Sequence, residues 1–144
     1  MREFKFRIWD DVEKKMIYPP ADDEKEGWMI SLGGDIYTEE WNEEDDCTDL
    51  VNCDPGYYKF MQYTGVNDKN GKEIYDGDLI TWRMDDNRCV LTEVVSWYEA
   101  ESAFVLYQDD PLNKDNYMLL GQCNNETIDV VGNIYEGVKN ENPV

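Results

Sequence analysis

The sequence predicts an all-β protein: a β-hairpin portion at the N-terminus, an SH3-like or small-barrel portion after it, and little helix. Three observations point there. The first residues alternate charged and apolar side chains with a period of two. An Asn-Gly turn followed at once by a second glycine corner lies near the middle of the chain. Two later stretches are rich in β-branched and apolar residues, and strong helical periodicity is missing.

Residues 3–9 place Phe4, Phe6 and Ile8 on one side and Lys5 and Arg7 on the other, the pattern of a half-buried strand. Polar residues 10–15 make a turn, and Met16-Ile17-Tyr18 returns as a second strand, stopped by Pro19-Pro20. After a charged loop, 27–32 and 35–41 read as short strands broken at Gly33-Gly34. Tyr57–Thr64 is a strand, residues 68–72 hold the Asn70-Gly71 turn, Glu73-Ile74-Tyr75 resumes the strand, and Asp76-Gly77-Asp78 turns the chain again before Leu79–Trp82. Two reversals so close together suit a small, strongly bent barrel. Strand patterns recur at 89–97, 103–107 and 127–135, and the only stretch with helical character is Leu112–Leu120. The acidic segment separates the parts: an N-terminal β portion over 1–42, an acidic loop or linker over 43–55, a C-terminal β-barrel portion over 56–137 and a frayed tail over 138–144.

The chain has 144 residues, 41% of them hydrophobic, with five Trp, ten Tyr and four Phe, which is enough apolar surface for a true core. Its charge is lopsided: 13 Lys and Arg against 33 Asp and Glu, no His, net −20. Such a field repels phosphate backbones and anionic lipid out to the screening length of roughly 8 Å. Direct binding of nucleic acid or membrane is therefore disfavoured, and basic proteins are the natural electrostatic partners. A solvated acidic loop explains the run 39–54 without any partner; a docking surface for a basic protein is the sharper alternative. No apolar stretch approaches the roughly 18 residues of a membrane span, and the N-terminus lacks the apolar run of a signal peptide. A cytoplasmic location is expected, with Cys47, Cys53, Cys89 and Cys123 as reduced thiols whose spacing does not suit zinc.

Catalytic chemistry finds little to use. Without His, Ser-His-Asp and Cys-His systems are excluded, and Gly71-Lys72-Glu73 lacks the hydroxyl residue and helix of a phosphate loop. Asp68–Gly71 begins like a calcium loop, but Lys72, Glu73 and Leu79 stand where a ligand, a glycine and a glutamate belong. Carboxylate pairs such as Asp76 with Asp78, or Asp85 with Asp86, suit a divalent metal, though 33 acids generate such pairs by chance. No catalytic, cofactor-binding or metal residue is assigned, and no cofactor is expected. The Trp residues, Trp9, Trp28, Trp41, Trp82 and Trp97, read as core rather than as a ligand groove.

Three runs carry a family resemblance: Arg2–Asp10 followed by Lys14-Lys15-Met16, then Met61–Asp78, and finally Val130–Glu136. In that order they resemble the YopX-like proteins, from the first residues to about 137. The resemblance implies a mostly β protein, encoded mainly by phages and prophages of Gram-positive bacteria, with no assigned biochemical role. The matched runs are turns and strand starts, in which Gly65, Asn70, Gly71, Gly77 and Gly132 are the expected structural turn positions. Together these readings favour a non-enzymatic phage accessory protein that binds another protein. The alternatives are an acidic nucleic-acid mimic that inhibits a DNA- or RNA-binding protein, and a carboxylate/divalent-metal hydrolase. Exposed strand edges predict homo-oligomer formation as well.

Overall fold

The computed structural model describes residues 3–19, 27–83, 90–107 and 116–139. Strands dominate them, and helix is confined to two single 3₁₀ turns. The chain divides into two compact units, Lys5–Met61 and, together with Met1–Phe4, Gln62–Val144.

In the first unit, β1 (Phe6–Asp10) pairs antiparallel with β2 (Lys15–Ile17) in the register Ile8–Ile17 and Asp10–Lys15. Asp10 closes this hairpin by accepting the N–H groups of Val12 (2.9 Å) and Glu13 (3.0 Å). β1 starts later than the alternation suggests, and Phe4 is exposed. Its second face is also covered: Arg7 and Trp9 are buried as well as Ile8 and Asp10 on the first, so period-two alternation here does not mean one wet face.

β3 (Trp28–Ile30), β4 (Ile36–Asn42) and β5 (Cys47–Asn52) form a three-stranded antiparallel sheet in that order. The stretch expected as an acidic loop or linker over 43–55 is thus largely a hairpin arm, and the division between units falls at Met61–Gln62 instead. Four of the acids make a four-residue turn, 43–46, with Asp46 at φ 52°, while Glu39, Glu40 and Asp49 stand in the strands on either side. Asn42 holds that turn. Its side-chain carbonyl accepts the Glu44 N–H (3.0 Å), and its amide donates to Asp49 (2.8 Å) and Asp45 (3.3 Å). Ile8, Ile17, Ile36 and Cys53 make the core of this unit, with Phe6, Trp28 and Tyr58 packed against them.

β6 (Tyr58–Asn67) runs from the first unit into the second, in the sheet order β2-β1-β6 and then β7 (Glu73–Tyr75). The second unit continues with β8 (Asp78–Arg83), β9 (Val90–Tyr98), β10 (Ala103–Tyr107), β11 (Tyr117–Leu119), β12 (Ile128–Asn133) and β13 (Gly137–Val138). These six form one antiparallel sheet ordered β11-β10-β9-β8-β12-β13, curled as half a barrel. A bulge between Val130 and Gly132 bends β12 where it pairs β8. Ile74, Ile80, Val95, Phe104, Leu106, Leu120, Ile128 and Val130 fill the concavity.

Two expectations change here. Tyr117–Leu119, within the stretch read as helical, is instead a strand, because Tyr117 and Leu119 pair with Tyr107 and Val105; only Leu120–Gln122 turns helically, and residues 112–115 lie outside the described residues. The tail read as frayed from 138 is tied down at its start, where Gly137 and Val138 pair with β12 and the Lys139 N–H reaches the Val131 carbonyl (2.7 Å). Among the described residues no helix is long and apolar enough to cross a membrane.

Candidate functional site

The longest sequence motif builds a corner. The Gly71 N–H donates to the Asp68 carbonyl (3.0 Å) and the Asp68 N–H to the Lys72 carbonyl (2.8 Å), closing the turn between β6 and β7. Of the Asn-Gly pair only Gly71, at φ 79°, takes the left-handed conformation that side chains resist. Asn70 instead uses its amide on Asp129 (3.2 Å), to which Lys69 also reaches (3.2 Å). The centre is Asp68, a buried carboxylate. One oxygen accepts the N–H groups of Asn70 (2.8 Å) and Lys72 (2.9 Å); the other accepts the Val130 N–H (3.1 Å), sixty-two residues away. The residue that began a false calcium loop is therefore a backbone staple.

Its neighbours act similarly. Asp78, buried, accepts the Tyr75 N–H (2.8 Å) across the Gly77 corner, so Asp76 and Asp78 do not form an open metal pair. Gly77 holds φ 82° at its corner, whereas Gly65, at φ 88°, lies inside β6 where the pairing with β7 shifts register, an irregularity of the strand instead of the expected turn. Gly132 differs from that expectation, because its need is close approach rather than special dihedrals. A Cβ there would overlap the Gly137 carbonyl and come within 2.9 Å of the Val138 Cα. Asn133 then accepts the N–H groups of Tyr135 (3.0 Å) and Glu136 (2.9 Å), closing the last turn.

Two other places carry chemistry. Inside the half-barrel, Glu93 is buried opposite Ile80, and its carboxylate accepts the Trp82 indole N–H (2.8 Å). Burial pushes the Glu93 pKa up, against the opposing effect of that hydrogen bond, and Glu93 in turn adds to the burial that raises Cys123. Among the described residues no three His, Cys, Asp or Glu side chains are gathered to hold a metal ion, and Asp85 and Asp86 lie outside those residues.

The second place is the β3–β4–β5 sheet. Trp28, Ile36 and Cys53 turn one face to the core, so the alternate residues face out. An outer face of this kind ordinarily carries polar groups. Here Met29 pairs across from Tyr37, while Leu50 sits diagonally between Tyr37 and Trp41. Leu50 and Trp41 are 58% and 61% exposed, an apolar stripe on a hairpin that is otherwise charge. Glu39 shares this face, the acids Glu43, Glu44, Asp45 and Asp46 make the turn beyond Trp41, and Glu40 and Asp49 stand on the opposite face, with no Lys or Arg between Lys25 and Lys59. Glu40 lies directly across from Asp49, a like-charge pair that costs stability. Sequence reading missed this site because Trp41 was assigned to the core and Leu50 to a loop. The available signal was the alternation Tyr37-Glu39-Trp41 and Thr48-Leu50-Asn52 on either side of the acidic turn.

A family model described as YopX protein matches residues 5–139. Among solved structures, the chain is similar to the protein yopX from Bacillus subtilis, at 23% identity over 94% of this chain and 95% of that one, with a TM-score of 0.62. It is similar also to protein EF1440 from Enterococcus faecalis, at 19% identity over 94% and 96%, with a TM-score of 0.55. At these identities the likeness concerns the fold. No curated protein matches the chain. Because the family model spans nearly the whole sequence, the chain belongs to the YopX family.

Proposed function

We propose that this protein is a non-enzymatic interaction module, a phage or prophage accessory protein that holds another protein on the outer face of its β3–β4–β5 sheet. The observation that carries this reading is the exposed Trp41–Leu50 stripe within an acidic hairpin. Acidity alone serves solubility; an exposed Trp and Leu beside it do not. Fully burying such side chains against a partner contributes about 1.5–3 kcal/mol each, and the surrounding carboxylates select for a basic one.

The test is capture from a lysate of prophage-bearing cells with the tagged chain, its Trp41→Ser/Leu50→Ser variant and an unrelated protein of similar negative charge. The reading expects a protein held by the native chain and lost by the variant. Recovery that is the same for native chain, variant and control rejects it.

A second reading has one observation in its favour. Glu40, Asp49 and the turn acids concentrate carboxylates on one hairpin instead of spreading them, as a nucleic-acid mimic requires. Displacement of the captured protein by duplex DNA or RNA would select this reading over the first.

A further inference from the structure

We infer that the binding mode is strand addition: the free edge of β5 takes an extended segment of a basic protein as a fourth strand of the β3–β4–β5 sheet. This rests on the interaction reading above and specifies its geometry.

The direction of the backbone groups carries the inference. The Glu39 N–H donates to the Gly27 carbonyl (3.1 Å), so the polar backbone of Glu39 faces β3. The Ile36 carbonyl accepts from the Cys53 N–H (2.8 Å), so that of Ile36 faces the β5 side. In an antiparallel ladder this direction alternates along the strand. The pairs Thr38–Val51, Glu40–Asp49 and Asn42–Cys47 therefore carry the β4–β5 hydrogen bonds. The intervening pairs do not, which turns the N–H and C=O groups of Thr48, Leu50 and Asn52 away from β4. β5 is the end strand of its sheet, and these groups have no partner among the described residues.

Soluble proteins ordinarily blunt such an edge with Pro, charged side chains and Lys above all, a bulge or extreme shortness. β5 has six residues, regular register, and neither Pro nor Lys. What it has is negative charge, which chooses the occupant. A second copy would bring its own Asp49 and acidic turn against these and is repelled. A basic strand is attracted. The side chains of Thr48 and Leu50 lie on the face of Trp41, and Asp49 on the face of Glu40. The fitting segment therefore alternates, with apolar residues beside Leu50 and Lys or Arg beside Asp49 and Glu40.

The probe is a capped eight-residue peptide alternating lysine and valine, added to the full ¹⁵N-labelled chain. Its controls are the same peptide N-methylated at alternate residues, which cannot pair, and a glutamate–valine peptide. Amide hydrogen exchange is the readout. Saturating peptide is expected to slow exchange at Thr48, Leu50 and Asn52 by at least about tenfold, with no effect from either control. Thr48→Pro removes an outward N–H and no ladder bond, so it is expected to keep the fold and lose peptide binding.

Equal binding of the plain and N-methylated lysine peptides, with unchanged exchange at these three amides, overturns strand addition. If that binding is still lost in Trp41→Ser/Leu50→Ser, the interaction face stands without the edge. Unchanged exchange with no binding also overturns strand addition, and the capture experiment then judges the interaction reading separately.

Discussion

Replacing Asp68 with alanine removes the buried side chain that ties the β6–β7 turn to β12, where Asn70 and Lys69 make only exposed contacts to Asp129. Its two oxygens accept three backbone N–H groups, at 2.8, 2.9 and 3.1 Å. The Val130 N–H is buried, so losing its acceptor exposes it to the full desolvation penalty of about 1–3 kcal/mol. The Asn70 and Lys72 N–H groups are only partly buried, and water recovers much of their bonding, leaving about 0.5–1 kcal/mol each. The sum is about 2–5 kcal/mol, or a fall in melting temperature of about 6–20 °C for a chain of this size. Asp68→Asn keeps an oxygen for the turn but sets an NH₂ group against Val130, and is expected to lose about 2 kcal/mol. Asp54 is the control: it is exposed and its carboxylate accepts the Gly56 N–H (2.7 Å), so Asp54→Ala should cost under about 1 kcal/mol. Urea unfolding followed by far-ultraviolet circular dichroism ranks the three. A loss for Asp68→Ala no larger than for Asp54→Ala would refute the staple.

Gly132→Ala forces β13 off β12, so it is expected to destabilise by about 1–3 kcal/mol and to speed amide exchange at Val138 and Lys139; normal exchange there would contradict the close approach. Glu93 has a raised pKa in the folded chain, so the fold favours its neutral form. Its contribution is fully present below the unfolded value of about 4.3 and is lost as pH rises through the folded value. Glu93→Gln, which still offers an oxygen to Trp82, should therefore gain stability over the native chain as pH rises from 4 to 7, and a constant difference in thermal melts would sink this account. Glu40→Lys converts the like-charge pair with Asp49 into an opposite-charge pair and should stabilise by about 0.5–1 kcal/mol in urea melts. The same substitution should weaken capture of the partner.

Much of the second unit was legible because its signals are local. Gly71 and Gly77 mark reversals by backbone conformation, and the alternating runs of β8, β9 and β12 share one concave core. Long-range facts were not legible. Nothing near Asp68 in sequence says that Val130 supplies its third donor, and the crowding of Gly132 comes from Gly137, which folds back upon it. Leu112–Leu120 misled because the pairing that makes Tyr117–Leu119 a strand comes from Val105–Tyr107. The acidic segment misled for another reason. Asp and Glu disfavour strands, so composition argued for a loop, whereas one residue, Asn42, supplies donors to Asp45 and Asp49 and lets the hairpin close. With β5 hidden, the face shared by Leu50 and Trp41 was hidden too.

The outer face of the β3–β4–β5 sheet is most directly tested by a photo-crosslinking residue placed at Trp41 in cells that produce the protein, beside the same residue at Ile134, which is exposed in the second unit. An adduct to one basic protein from position 41, and none from position 134, is the predicted result. Equal adducts from both positions, or none from position 41, would contradict a partner on this face.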